Sequence, residues 1–393
     1  MQRYLILAAA VLMQVCLGAT YSWSVYVRPL KELTGLLQGP VQLPFTVFYF
    51  VFPATMLFAG SLLHRLGPRF CAIAGGILFG GGWLLASFGS LHFAFTVAGI
   101  GLCAGLGAGF AYIVPIATCI RWFPDNKGLV TGVAVAGFGG GAALISKTAG
   151  WLMNGQGWSP FTTFSLFGLI FLFSICLGGV MMRNPDEDGL AGTPSLAFRE
   201  VVRMPQFILL YMAMITGLAA GFTVNANLKE LFPAGTVQTG ITAVAVFALA
   251  NALGRVIWGF VADRLQPLTA IRLNLAAQAL ALFCSQLILA GDDGLLLFAL
   301  LTGFNYGGVL VLYAATVAGT WGYRHVGQVY GWLFSANIPA ALAPLIAGLI
   351  FDHTHSFTGF LRLLAIMLVV AIVLTLRFRK TFGHPLAAPI SPS

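Results

Sequence analysis

The sequence has few charged residues: Asp, Glu, Lys and Arg together make up 8% of its 393 residues. Soluble domains carry about 25%, so this composition excludes an ordinary soluble domain. Hydrophobic residues make up 59%, in runs near the roughly 20 residues that a helix needs to cross a bilayer. We therefore expect an all-α membrane protein surrounded by lipid. The net charge of +9 is attributed to cations at helix ends and not to a nucleic-acid partner.

The sequence also lacks the signatures of disulfide and metal chemistry. Its six cysteines lie in or beside apolar segments, without a CxxC pair or a Cys/His cluster. This pattern indicates neither a disulfide framework nor a zinc site, and we expect no metal and no cofactor. Two glycine-rich runs, 99–109 and 137–141, lack the lysine of a phosphate-binding loop. Small residues at this spacing favour close helix packing in a membrane.

Twelve apolar segments are long enough to span a bilayer, and a polar interval separates the first six from the last six. The predicted spans are 4–27, 42–63, 70–90, 93–120, 128–151, 161–182, 207–228, 237–262, 269–290, 294–320, 326–350 and 357–377. We expect a six-helix bundle over 1–182, a cytoplasmic linker over 183–206, a second bundle over 207–377 and a tail over 378–393. The first apolar run exceeds a signal-peptide core and lacks a clear cleavage site, so we expect it to remain as a span.

The distribution of Lys and Arg predicts the orientation of these spans. With both termini inside, the cytoplasmic cations are Arg3, Arg65, Arg69, Arg121, Lys127, Arg183, Arg199, Arg203, Arg264, Arg272, Arg324, Arg377, Arg379 and Lys380. The outside cations are only Arg28, Lys31, Lys229 and Arg362, and the acidic residues all lie in loops or at helix ends. This bias predicts cytoplasmic termini in an inner or plasma membrane.

The two halves of the chain resemble repeats of each other. The segment 60–69 has a counterpart that begins at Gly259, and Gly128 matches Gly327 at the same offset of 199 residues. Duplicated halves of this kind are typical of transporters, in which the substrate site lies between the halves near the midplane.

Arg255 is the most informative residue, because it is a cation inside the predicted span 237–262. A charge at this depth costs about 2.5–3.5 kcal/mol on insertion scales, and no acid lies inside any predicted span. A guanidinium is a rigid donor fork that matches a carboxylate. We therefore interpret Arg255 as the binding group for an anionic substrate; the alternative is a structural Arg bonded to helix carbonyls. The repeat position in the first half is Met56, so only the second half carries the cation.

Other polar residues at midplane depth are candidates to line the same site. Asn251 lies one turn before Arg255 on the same helix face, where it bonds Arg255 or the substrate, or else joins two helices. The remaining candidates are Tyr306, Asn305, Tyr112, Asn337 and Tyr21. For the tyrosines, core packing or an interfacial position is the alternative. Lys147, near the outer end of its span, is expected to reach the interface.

Two loop segments resemble the loop motif of the major facilitator superfamily, Gly-x-x-x-Asp-Arg-x-Gly-x-(Arg/Lys). The copy that begins at Gly259 keeps Asp263 and Arg264, whereas the first copy has His64 before Arg65. The resemblance implies that Asp263, Arg264 and Arg65 belong to a gate or helix anchor at the cytoplasmic face.

Within that superfamily the sequence resembles the monocarboxylate transporters and the oxalate/formate antiporters, in segments 18–30, 121–128 and 251–255. This resemblance implies transport of small carboxylates such as lactate or pyruvate, often with a proton. Asn337 stands where oxalate carriers have a second cation, so we expect one carboxylate per substrate. Asn251 replaces an Asp of the animal carriers, so their proton mechanism does not carry over directly.

These observations favour proton-coupled symport of a monocarboxylate by alternating access. Importing an anion against a negative interior costs about 2.3 kcal/mol per 100 mV, which a cotransported proton cancels. Anion exchange, which keeps Arg255 occupied, is the second candidate. A membrane enzyme is a weak alternative because its clustered acids, Asp292 and Asp293, form an isolated pair. Twelve spans suffice for a monomeric carrier, and the expected partners are the anion, a proton and the bilayer.

Overall fold

The computed structural model describes residues 2–36, 38–185, 196–228, 231, 237–289 and 291–377. These residues form helices joined by short connections, and no strand occurs in them. Residues 186–195 of the expected linker and all of the tail after Arg377 lie outside the described residues.

Twelve helices follow the twelve predicted spans, in two sets of six, so the predicted architecture is confirmed. They are α1 (Gln2–Ser22), α2 and α3 (the two parts of Gln38–Ser87), α4 (Ala94–Trp122), α5 (Lys127–Gly155), α6 (Pro160–Met181), α7 (Pro205–Asn227), α8 (Val237–Arg264), α9 (Pro267–Phe283), α10 (Asp292–Trp321), α11 (Tyr323–Phe351) and α12 (Thr358–Arg377). Shorter helices are Ser24–Thr34, Phe198–Val201 and Ser285–Ile288.

Two of the spans are shaped by glycine and proline. The continuous helix Gln38–Ser87 bends at Gly67, where φ is 80°, and Pro68 follows. Glycine adopts positive φ without steric cost, so this residue divides α2 from α3. The predicted span 326–350 is less regular than expected, because α11 is interrupted between Phe334 and Ala343. Pro339 within this stretch has no N–H to continue a helix.

The described chain forms two compact units. The first contains 1–124 and 133–195, and the second contains 125–132 and 196–393. The first two turns of α5 therefore belong with the second unit.

An aromatic cluster forms the core of the first unit. Trp83 packs edge-to-face against Phe164, with ring centroids 5.5 Å apart, and against Phe171 at 5.2 Å. Close helix contact accompanies it, since a Cβ on Gly18 would overlap the carbonyl oxygen of Phe138. Small residues therefore allow α1 and α5 to touch through their backbones.

The second unit holds the end of the linker against α11. Gln328 is buried, and its Oε1 accepts from the N–H of Leu196 at 3.2 Å while its Nε2 donates to the Leu196 carbonyl at 2.7 Å. One side-chain amide thus satisfies both backbone groups of a single residue. Such a pairing fixes the position of the chain where it enters the second unit.

Large apolar side chains face outward on both units. Phe58 and Phe173 on the first unit are 72% and 70% exposed, and Leu287 on the second is 81% exposed. Water would disfavour so many exposed apolar groups, whereas lipid tails accommodate them. The surface therefore fits a protein that is embedded in a bilayer.

Candidate anion-binding site

The candidate site is built where α8 and α10 lie in backbone contact. A Cβ on Gly254 would overlap the carbonyl oxygen of Phe304, and one on Gly307 would overlap that of Asn251. Glycine at these positions removes the side chains that would hold the helices apart. The close approach places the face of α8 that carries Arg255 directly against α10.

Arg255 is buried, with 1% of its surface exposed. Its Nε donates to Oδ1 of Asn251 at 3.0 Å, as expected for residues four apart on a helix. Asn251 is also buried. Because an amide is neutral, this bond orients the guanidinium without cancelling its charge.

Tyr306 forms an aromatic wall on α10, next to Gly307. Its ring stacks on Phe247 with centroids 6.0 Å apart and meets Phe222 edge-on at 5.8 Å. A Cβ on Gly221 of α7 would overlap the ring. The second unit thus brings the backbone of Gly307, next to Tyr306, against the backbone of Asn251 and Arg255.

Two other candidates of the second unit have different surroundings. The Asn305 carbonyl accepts from Asn274 Nδ2 on α9 at 2.8 Å, so this part of α10 faces α9. Successive residues of a helix point about 100° apart, and for this reason Asn305 and Gly307 cannot share a face. Asn337 donates from Nδ2 to the Phe334 carbonyl at 2.7 Å, which satisfies a backbone group where α11 is interrupted.

The tyrosine candidates of the first unit share one neighbour, Phe138. Tyr112 meets the Phe138 ring edge-on at 5.5 Å, and Tyr21 does so at 5.0 Å. Tyr21 also stacks on Tyr49 at 5.7 Å. Tyr112 is buried, whereas Tyr21 is half-buried. These contacts make both rings part of the packing between α1, α4 and α5.

Asp263 anchors the beginning of α5. Its two carboxylate oxygens accept from the backbone N–H groups of Gly128 at 2.7 Å and Leu129 at 2.8 Å. A carboxylate at a helix N-terminus satisfies unpaired donors and interacts favourably with the helix dipole. Burial raises the pKa of this half-buried carboxyl group, although the two backbone hydrogen bonds and Lys127 act in the opposite direction.

The contact between α5 and α8 continues from this anchor toward Arg255. A Cβ on Gly128 would overlap the Gly259 carbonyl, and one on Gly132 would overlap the Arg255 carbonyl. The sequence shows these glycines but not their partner helix, so the anchor of Asp263 was not identified in advance. The recurrence of glycine one turn apart was the available signal.

The other residues of the loop motif are more exposed. Arg264 lies over the ring of Phe260, with its Cζ 4.7 Å from the centroid, and Arg65 is exposed. His64 occupies the position that corresponds to Asp263. An imidazole at this position does not reproduce the carboxylate anchor of the second half.

Comparison with known proteins decides the family. The model of the Major Facilitator Superfamily matches residues 7–337 and, in a second match, residues 236–391. The chain belongs to the Major Facilitator Superfamily. It is therefore a membrane transporter and not an enzyme. Its predicted relationship to the oxalate/formate and monocarboxylate group is confirmed by the relatives described next.

Two curated relatives cover most of the chain. The "Oxalate:formate antiporter" of Oxalobacter formigenes is 27% identical over 355 residues, which are 86% of this chain and 82% of the relative. The "Apicoplast pyruvate carrier 1" of Toxoplasma gondii is 25% identical over 443 aligned positions, covering 84% of this chain and 80% of that protein. Among solved structures, the transporter FucP in the outward conformation superposes with a TM-score of 0.72 at 15% identity, over 95% of this chain and 98% of FucP.

Proposed function

We propose that this transporter carries small monocarboxylates such as lactate or pyruvate, and that Arg255 binds the carboxylate. The observation that supports this most strongly is a guanidinium that lies inside a predicted span, is 1% exposed and donates from Nε to Asn251. A cation at this depth in a membrane is costly and by default marks a functional site. A guanidinium binds a carboxylate through two parallel N–H···O bonds.

The number of cations favours one carboxylate per substrate. The other Lys and Arg residues inside the predicted spans are Arg272, Arg362 and Arg377, within six residues of a span end, and Lys147, which is exposed. The position that supplies a second cation in oxalate carriers is Asn337 here, and its amide bonds the Phe334 carbonyl. The relatives named for oxalate and formate, and for pyruvate, support the carboxylate class. Our proposal of a monocarboxylate rests on the charge count in this chain.

The proposed substrate site consists of Arg255, Asn251 and Tyr306. Asn251 holds the guanidinium plane, and the Tyr306 ring provides an apolar wall for the remainder of a small organic acid. Tyr112, Tyr21, Asn305 and Asn337 stay predictions from the sequence.

We propose proton symport as the coupling. A proton that moves with the anion cancels the charge, and with it the cost of about 2.3 kcal/mol per 100 mV for entry into a negative interior. The spans contain no carboxyl group that would hold this proton. Exchange is the second candidate, in which Arg255 holds a carboxylate each time the protein changes conformation.

The proposed setting is an inner or plasma membrane, with both termini cytoplasmic and a monomer as the working unit. The excess of Lys and Arg on one side supports this orientation. The hydrogen bonds between Asp263 and the start of α5 would then lie at the cytoplasmic face. We propose that they break and re-form during gating. Arg264 and Arg65 are proposed as flanking residues of that gate.

The test is uptake of labelled L-lactate and pyruvate into proteoliposomes with an acidic exterior. We expect accumulation that follows the pH gradient. Arg28→Ala is the matched control, because Arg28 forms an exposed pair with Glu32 and its loss removes one cation at little cost. Uptake that requires internal carboxylate would replace symport by exchange. A lack of transport with either acid, in protein that remains folded, would overturn the substrate proposal.

A further inference from the structure

A layer of buried polar side chains lies in the second unit where α8, α9 and α10 meet. It consists of Trp258 on α8, Asn274 and Gln278 on α9, and Asn305 on α10, and all four are at least 90% buried. We call it the polar layer. Trp258 and Asn274 both approach the space above Gly308, where a Cβ would lie 2.6 Å from Trp258 Cδ1 and 2.7 Å from Asn274 Nδ2.

The polar layer contains four buried atoms that have no hydrogen-bond partner among the described residues. They are Nε1 of Trp258, Nε2 and Oε1 of Gln278, and Oδ1 of Asn305. Both ends of the Gln278 amide are affected, so exchanging its oxygen and nitrogen would not satisfy it. Buried polar atoms in native proteins are almost always paired with protein or ordered water. Such a concentration in one place therefore points to a ligand that both donates and accepts.

The direction of the helices brings two of these side chains toward each other. The helices α9 and α10 are consecutive and antiparallel, and the bond from Asn274 to the Asn305 carbonyl fixes their register. Helical side chains lean toward the N-terminus of their own helix. Gln278, one turn beyond Asn274, therefore leans back toward Asn305, while Asn305 leans toward the level of Gln278. The two amides nevertheless make no direct hydrogen bond.

We propose that the polar layer binds ordered water that bridges Gln278, Asn305 and Trp258. Water accepts from the Trp258 and Gln278 N–H groups and donates to the oxygens of Gln278 and Asn305, so donors and acceptors are balanced. An anion would be repelled by the two oxygens. A metal cation would be repelled by the N–H groups, and these helices have no acidic residue at this level to bind it. Water alone matches all four atoms.

This water site is distinct from the proposed substrate site. On α10, Gly303 and Gly307 face α8 through the carbonyls of Phe247 and Asn251, whereas Asn305 faces α9. The water would therefore bind the two amides on the α9 side of α10, whatever the substrate class.

The first experiment is the melting temperature of purified Gln278→Met, with Leu275→Met as the matched control. Methionine has a similar length but no polar atoms, and Leu275 is a buried apolar residue of the same helix. If water satisfies the amide, Gln278→Met removes its bonds and lowers Tm by several degrees more than the control. A Tm at or above that of the control would overturn the proposal, because an unsatisfied amide gains stability when an apolar group replaces it.

A second comparison tests whether the water is shared. Asn305→Leu combined with Gln278→Met should lower Tm by clearly less than the two single losses added together, since one bridging water is lost only once. Fully additive losses would contradict a shared water. If these variants fail to fold, a map of the unmodified protein decides. Density within hydrogen-bonding distance of both amides supports the site, and its absence where other buried waters are visible overturns it.

Discussion

Replacing Asn251 by aspartate would test how the charge at the site is compensated. The Asn251 Oδ1 already accepts from Arg255 Nε at 3.0 Å, so Asn251→Asp places a carboxylate on the same nitrogen with little change of shape. The new charge neutralises the guanidinium from within the protein. It also repels an incoming carboxylate that binds the same group.

The size of this effect follows from the geometry. Two carboxylates on one guanidinium lie roughly 6 Å apart, and at an effective dielectric constant of about 20 their repulsion is about 3 kcal/mol. This corresponds to an approximately 100-fold weaker substrate affinity. Protonation of the introduced carboxyl group removes the repulsion. The affinity of Asn251→Asp should therefore improve more steeply as the pH falls than the affinity of the unmodified protein.

The assay is substrate affinity in proteoliposomes or by thermal shift, measured across pH for Asn251→Asp and Asn251→Leu. The leucine variant loses the bond to Arg255 without adding charge, so it should weaken binding at every pH alike. An Asn251→Asp protein with unaltered affinity at neutral pH would refute the reasoning. The same conclusion would follow if both variants shared one pH profile.

Three further perturbations concern the helix contacts. Asp263→Ala leaves the first turn of α5 without its carboxylate and should cost about 1 kcal/mol, seen as a lower Tm; an unchanged Tm would show that the anchor contributes nothing. Gly254→Ala should separate α8 from α10 and abolish transport, whereas Gly140→Ala, which meets no atom within 4 Å, should be tolerated; equal effects would contradict the packing argument. Gln328→Leu removes both hydrogen bonds to Leu196 and should accelerate tryptic cleavage of the adjoining linker. Gln328→Glu should be intermediate, because it keeps one acceptor. Equal cleavage rates would show that these two hydrogen bonds do not hold the linker.

Much of the architecture follows from hydrophobic length alone. Runs near 20 residues identify helices in a membrane because every backbone group must be bonded within the segment. The interruption of α11 was missed, since an apolar run containing Pro339 keeps its hydropathy while losing a backbone donor. Gly67 followed by Pro68 marks the division of α2 from α3, and this signal was visible in the sequence.

The site was predictable where spacing along one helix decides the contact. Arg255 and Asn251 are four residues apart and bond as expected. Contacts between helices could not be predicted from spacing along one helix. Asn305 and Tyr306 are neighbours in sequence but face different helices, and register between α9 and α10 decides which of them meets Asn274. The partner of Asp263 on α5 also depends on packing that no local pattern encodes.

The most direct test of the central proposal is the uptake of labelled lactate or pyruvate by Arg255→Ala and Arg255→Lys. Both variants should be measured in sealed proteoliposomes beside the unmodified protein and Arg28→Ala. Because the bidentate fork is lost in each, we expect no uptake by Arg255→Ala and only a small remaining uptake by Arg255→Lys. Arg28→Ala should keep full uptake. Near-normal uptake by folded Arg255→Ala would contradict the proposal that this guanidinium binds the substrate.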